Sequence, residues 1–221
     1  MNQVTIFMVD DHLTQIEGYK AVLQYNKSGY RINTIARQNC KDAYDFVTSS
    51  PEAAKIDMVF LDLNLPPYEE MKLFSGEDLA LFMKAAIPNA KIVILTSHTE
   101  AFRLYNILKT IQPTGLLVKS DFSSEELINA FDVIANGGFY YTETVEKSKK
   151  ELISRESYLD SYNRKIIELL AQGVKTKNIP DHINLSQSAI EKRKAQIKNY
   201  LCIEKGTDED IVREARKLGF V

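Results

Sequence analysis

The sequence predicts an α/β fold: a doubly wound, five-stranded parallel sheet, followed by a small all-α domain. Three observations carry this. Up to about residue 136, short apolar runs alternate with amphipathic stretches of helical period. One of those runs, Val59-Phe60-Leu61 at the start of "VFLDLNLPP" (59–67), is apolar without alternation, as a strand covered on both faces requires, and it ends in a lone acid, Asp62. Beyond residue 158 the period is helical only.

The elements follow in order. "VTIFMV" (4–9) is a strand, and Leu13, Ile16, Val22 and Leu23 mark the inner face of the helix after it. "YRINTIAR" (30–37) precedes a helix around Ala43, Phe46 and Val47. "MVFL" (58–61) is followed by Leu79, Phe82, Met83 and Ala86 at helical spacing. "KIVILT" (91–96) leads to a helix from about Glu100, and "GLLVK" (115–119) to one that opens at Ser123. Glu126 completes a capping box there, and Gly137-Gly138 ends the helix. Residues 137–158 are charged and weakly periodic, a linker that is helical in part. In residues 159–221, Ile166, Ile167, Leu169 and Leu170 form one helix face ending at Gly173. Ile179 and Ile183 mark a short second helix, and Ile190, Ile197 and Leu201 a third. The fourth runs from near Thr207 to Gly219.

Composition narrows the function classes. At 221 residues the chain suits one large domain or two small ones, and 44% hydrophobic content is enough to bury real cores. Cys40 and Cys202 lie far apart without metal-ligand spacing, which argues against a disulfide framework or a zinc site and fits a reducing compartment. The start lacks a basic leader and no stretch has the ~18 apolar residues of a membrane span, so a soluble, cytoplasmic protein is expected. Residues 1–140 hold 12 Lys/Arg against 17 Asp/Glu, a balance of −5; residues 141–221 hold 16 against 13, a balance of +3. A basic second part suits a polyanionic partner.

The chemistry lies at the strand ends. The first, third, fourth and fifth strands finish at Asp10-Asp11, Asp62, Thr96 and Lys119, and in a doubly wound sheet those ends lie side by side. Crowded carboxylates repel unless a cation neutralises them, and Mg²⁺ is the natural hard cation for such a set. Asp62 then has the setting of a carboxylate nucleophile toward phosphorus, with the metal on one side, Lys119 on the other and the Thr96 hydroxyl to donate to the new phosphate. A turn or capping role for Asp62 is the bland alternative.

With "VDD", "LDLNLP", "ILTS" and "LLVKSD" in order and spacing, residues 1–136 resemble the flavodoxin-like receiver domain of two-component response regulators. The resemblance implies that a sensor histidine kinase phosphorylates Asp62. It implies too that Asp10, Asp11, Asp62 and the backbone carbonyl of Asn64 bind Mg²⁺, that Thr96 and Lys119 contact the phosphate, and that the phosphorylated protein is a homodimer. "VFLDLN" also resembles the haloacid-dehalogenase phosphatases, but Asn64 stands where their acid/base Asp would be, and the 10–11 acid pair has no place there. Two departures from the receiver pattern stand out. Receivers usually place a Gly eight residues after the acceptor, whereas Gly76 comes fourteen after Asp62, so residues 67–75 carry an insertion expected to extend a loop over the site's rim. Leu116 replaces the aromatic residue whose rotation reports phosphorylation in the family. His98, two residues after Thr96, reads as a polar loop residue more than as a ligand, in a position that could still tune phosphate lifetime.

Residues 159–221 resemble the LuxR-type helix-turn-helix of NarL-like regulators, through "IIELLAQGVKTKNIPDHINLSQSAIEKRKAQIKNYL". The resemblance implies double-stranded DNA as partner, Ser186 as cap of the recognition helix, and Gln187, Ser188, Glu191, Lys192, Lys194 and Lys198 as the DNA-facing set. Lys192, Arg193, Lys194 and Lys198 against Glu191 give that helix +3. Here too there are departures: Ala189-Ile190-Glu191 for the usual Thr-Val-Lys, Lys194 at an ordinarily apolar position, and Pro180 within the scaffold helix, where it removes a backbone donor. The expected function is a phosphorylation-switched transcriptional regulator and not a metabolic enzyme. The rival reading is a signalling adaptor whose C-terminal helices bind protein.

Overall fold

The computed structural model describes residues 3–156, 160–201, 203, 206–217 and 220–221. They form two compact units, Met1–Lys149 and Lys150–Val221. In the first, six strands make one parallel sheet: β1 (Gln3–Val9), β2 (Arg31–Arg37), β3 (Met58–Asp62), β4 (Lys91–Thr96), β5 (Gly115–Val118) and β6 (Tyr140–Tyr141), ordered β2-β1-β3-β4-β5-β6. Five helices connect them: α1 (Leu13–Leu23), α2 (Cys40–Ser49), α3 (Gly76–Ala86), α4 (Ala101–Thr110) and α5 (Ser124–Ala135).

Strand side chains alternate between two cores, because successive residues point to opposite faces. Phe7, Val9, Val59, Leu61, Ile92 and Ile94 pack with Phe46 of α2, Met83 of α3 and Ile107 of α4. Ile6, Met8, Phe60, Val93, Leu95 and Leu117 pack with Ile16 of α1 and Phe131 of α5. Burial on both faces explains why these strands read as unbroken apolar runs. The capping box of α5 is present as expected, with the Ser123 side chain accepting from Glu126 N and the Glu126 carboxylate accepting from Ser123 N.

The sheet has six strands where five were expected. Tyr140 and Tyr141 pair in parallel with Gly115 and Leu116. A two-residue strand has no period to read, and it lies in the stretch taken for a linker. That stretch continues as α6 (Glu143–Glu156), beginning just after Thr142, whose hydroxyl accepts a hydrogen bond from buried Val118 N at 3.1 Å. Val145 of α6 is fully buried in the first core, and Asp121 accepts from both the backbone N–H and the hydroxyl of Thr144.

In the second unit, α7 (Ser161–Ala171), α8 (Gln187–Tyr200) and α9 (Asp208–Lys217) enclose Ile166, Ile167, Ile179, Ile190, Ile197 and Ile211. The expected second helix is a 3₁₀ turn over Thr176–Asp181, with Pro180 inside it. Proline lacks the N–H that an α-helical interior needs, and the short 3₁₀ turn tolerates the loss. Ser186 caps α8 by accepting from Ala189 N at 3.3 Å. Gly219 and Cys202 lie outside the described residues, and Cys40 is a free, buried thiol. Among the described residues no helix is long and apolar enough to cross a membrane.

Candidate functional site

Parallel pairing brings the chemistry together. The order β2-β1-β3-β4-β5 changes direction between β1 and β3, and the crevice at such a switch point, beyond the carboxyl ends of the strands, is where open α/β sheets place ligands. Asp10 follows β1, Asp62 ends β3, Thr96 ends β4 and Lys119 follows β5. Asp10 and Asp62 are each 3% exposed and Thr96 is fully buried.

Lys119 joins the two acids. Its ammonium donates to Asp10 Oδ2 at 2.9 Å and lies 3.1 Å from Asp62 Oδ1. The second contact is an ion pair outside hydrogen-bond direction, so Asp62 Oδ1 is buried without a hydrogen-bond partner among the described residues. Burial raises the Asp62 pKa above the ordinary carboxylate value, more than the attraction of Lys119 lowers it, and the Asp10 charge adds to the rise. Tyr19, half-buried on α1, has its phenol pKa raised, first by burial and then by the same two acids.

Asp11 and His12 complete the acid end. Asp10, Asp11 and His12 offer ligand atoms all within 4.8 Å of one another. His12 Nδ1 is 2.6 Å from Asp11 Oδ1, and His12 N donates to Asp10 Oδ1 at 2.9 Å. His12 was not among the expected site residues, although "DDH" places it directly beside the acid pair. The donor set is hard, acidic and short of one hydrogen-bond donor at Asp62, which is the setting a small divalent cation fits.

The rim is a hydrogen-bonded chain. His98 N donates to Thr96 Oγ1 at 3.1 Å, and His98 Nε2 lies 3.3 Å from Asn64 Oδ1. Arg103 Nη1 is 3.3 Å from His98 Nδ1, while Arg103 Nη2 donates to Glu77 Oε1 at 3.2 Å. His98 therefore joins the Asn64 loop to α3 and α4. The insertion folds as a small hairpin: Tyr68 and Leu73 exchange backbone hydrogen bonds of 2.7 and 3.1 Å around a 3₁₀ turn over Glu69–Met71, and Lys72 takes the left-handed conformation at φ 57°. Leu73 is buried in the core, and Tyr68 packs edge-on against Tyr44. Leu116 is fully buried, an aliphatic core residue where an aromatic switch would stand.

In the second unit, α8 presents Gln187, Ser188, Glu191 and Lys192 to solvent. Lys194 is 8% exposed and paired with Asp208 at 2.7 Å, so its ammonium is withdrawn from the surface it was expected to join. Lys198 is half-buried and donates to Gly206 O at 2.6 Å.

Comparison with known proteins agrees with this geometry. The model of the response regulator receiver domain matches residues 6–132. The transcriptional regulatory protein MctR of Rhizobium johnstonii is 22% identical over 231 residues, covering 99% of this chain and 96% of that protein. The oxygen regulatory protein NreC of Staphylococcus epidermidis is 26% identical over 205 residues, 87% of this chain and 88% of the relative. In fold the chain is similar to the RcsB response regulator of Salmonella typhimurium, with TM-score 0.68, 18% identity, and coverage of 98% of this chain and 100% of that one. It is also similar to RcsB in a structure of its DNA complex, with TM-score 0.64, 17% identity and coverage of 97% and 98%. With more than half of its length matched, over a stretch that contains Asp10, Asp62, Thr96 and Lys119, this chain belongs to the response regulator receiver family.

Proposed function

We propose that this protein is a transcription regulator whose DNA binding is switched by phosphorylation of Asp62. A sensor histidine kinase supplies the phosphoryl group: the P–N bond of its phosphohistidine breaks as Asp62 forms an O–P bond. The buried Asp62 oxygen without a hydrogen-bond partner carries this reading. It is a nucleophile held 3.1 Å from the Lys119 ammonium and given no other partner by the surrounding side chains.

Asp10, Asp11, Asp62 and the Asn64 carbonyl would hold Mg²⁺, which supplies neutralisation of the incoming phosphoryl oxygens. Lys119, already 3.1 Å from Asp62, offers the second positive charge, and the buried Thr96 hydroxyl donates to a phosphoryl oxygen. Donating to a phosphoryl oxygen leaves the Thr96 oxygen able to go on accepting from His98 N, so a shift of Thr96 toward the phosphate would carry His98 with it, and the rim chain through Arg103 and Glu77 is where the change would leave the site.

Residues 1–136 are the receiver, 137–158 the connection and 159–221 the DNA-binding domain in this reading. The output is supported by the curated relatives, which are named as regulators, and by the RcsB–DNA complex among similar folds. Gln187, Ser188, Glu191 and Lys192 are the candidate DNA contacts. The protein works in the cytoplasm, without metabolic turnover, and dimerises when phosphorylated. Binding to duplex DNA measured with and without a small phosphodonor and Mg²⁺ tests this: the phosphorylated protein binds more tightly and Asp62→Asn does not respond. Equal affinity in both states refutes the switch. No binding in either state leaves the receiver intact and turns the output toward a protein partner.

A further inference from the structure

Four cations on α8 give that helix its positive charge, yet three of them are bound to partners within the second unit. Arg193 Nη1 donates to Asp160 Oδ1 and Oδ2 at 2.8 and 2.7 Å and to Asn163 Oδ1 at 3.0 Å, with the guanidinium 5.1 Å above the Tyr162 ring. Lys198 is held on the Gly206 carbonyl. Lys194 goes deepest. It falls four residues after Ile190 and three before Ile197, both fully buried, and so lies on the core face of the helix.

An isolated ammonium in that position is costly, and the structure answers with a closed ring. Lys194 Nζ donates to Thr176 Oγ1 at 2.7 Å and lies 2.7 Å from Asp208 Oδ1, with Glu191 Oε2 of its own helix farther off at 3.7 Å. The Thr176 hydroxyl in turn donates to Asp208 Oδ2 at 2.6 Å. Each member sits on a different element: α8, the 3₁₀ turn over Thr176–Asp181, and the first turn of α9. An apolar residue there would pack but accept several rotations of the helix, whereas a three-member polar ring closes in only one.

We propose that Lys194 is a positioning residue of the DNA-reading helix, fixing the rotation and depth of α8 through Thr176 and Asp208 while making no contact to DNA itself. This rests on the DNA-binding reading above. It assigns direct contact to the outward residues Gln187, Ser188, Glu191 and Lys192, a nearly neutral face that selects sequence by hydrogen bonding more than by charge.

The test uses the full chain, phosphorylated with a small phosphodonor and Mg²⁺, as wild type, Lys194→Met, Asp208→Asn and the double variant. Equilibrium unfolding comes first: the double variant should lose less stability than the two single losses combined, and strict additivity overturns the ring. Affinity is then measured against salt for random duplex and for a duplex that the wild type selects from a random library. The expected result for Lys194→Met is an unchanged salt slope on both duplexes, a several-fold loss in the ratio of selected to random affinity, and partial recovery in the double variant. A slope lower by about 0.9 on both duplexes means that Lys194 touches a phosphate, and the proposal fails. An unchanged slope and ratio in a folded variant means that the ring serves stability alone, and the proposal fails again. Asp208→Asn, at a side chain 38% exposed, gives the same readouts should the Met variant not fold. A wild type that binds no duplex overturns the DNA reading itself, and coupling in the unfolding cycle distinguishes that outcome from failure of the ring.

Discussion

Gly76 presses against the backbone of Asp62 so closely that a methyl group on it would lie 2.1 Å from the Asp62 carbonyl oxygen. The same methyl would stand 2.7 Å from Leu63 Cα, and Gly76 N donates to Leu63 O at 2.9 Å. The N-terminus of α3 is thus seated on the strand end that carries the candidate nucleophile, and the inserted hairpin does not disturb it. Gly76→Ala should cost about 1–3 kcal/mol, the range of overpacking in a tight site, and slow phosphorylation as the Asp62 loop shifts. Thermal unfolding and phosphodonor kinetics check this; a wild-type melting temperature with a wild-type rate contradicts it.

The strands and the convergence of Asp10, Asp62, Thr96 and Lys119 were legible in the sequence for one reason. Parallel strands buried on both faces leave unbroken apolar runs, and the residue at the end of each run is fixed in space by the sheet. What was not legible depends on contacts remote in sequence. Tyr140-Tyr141 carries no strand period, and only the exposed edge of β5 makes it a strand. Pro180 marked a weak helix, but its outcome as a 3₁₀ turn was not readable from Ile179 and Ile183. Lys194 stands at an ordinarily apolar position, which marks the core face, but its charge placed it in the expected DNA-facing set; the partner that holds it inward, Asp208, lies fourteen residues on.

Thr142 ties the connection to the sheet. Its hydroxyl is the acceptor for buried Val118 N, adjacent to Lys119. Thr142→Val keeps the shape and leaves that N–H without its partner, so a loss of about 1–3 kcal/mol is expected in denaturant unfolding. A loss below about 0.5 kcal/mol would mean that the contact to Val118 contributes little.

Lys192 is the exposed cation of α8 in the proposed contact set, and Lys198 is turned onto Gly206 O. Lys192→Ala should weaken binding to all duplexes and flatten the salt dependence by about 0.9, whereas Lys198→Ala should leave the slope unchanged. The reverse pattern in a salt titration of duplex binding would place Lys198, and not Lys192, on the phosphates.

Asp208 gives the second unit a pH dependence of definite sign. Burial alone would raise its pKa, but hydrogen bonds from Lys194 and Thr176 together with the charge of Lys194 hold it below the ordinary value. In the window between the folded and unfolded values the unfolded chain binds more protons, so stability rises with pH. The contribution is complete above the ordinary carboxylate value of 3.8 and is lost as pH falls through the lowered folded one. Asp208→Asn should therefore lower the melting temperature at pH 7, with the difference from wild type closing below about pH 4. A difference that widens toward acid contradicts the assignment.

If Asp62 is a nucleophile toward phosphorus, intact-mass measurement after incubation with a small phosphodonor and Mg²⁺ should find one added phosphoryl group on the wild type, none when the metal is chelated, and none on Asp62→Asn. A folded Asp62→Asn protein that still gains the group contradicts it.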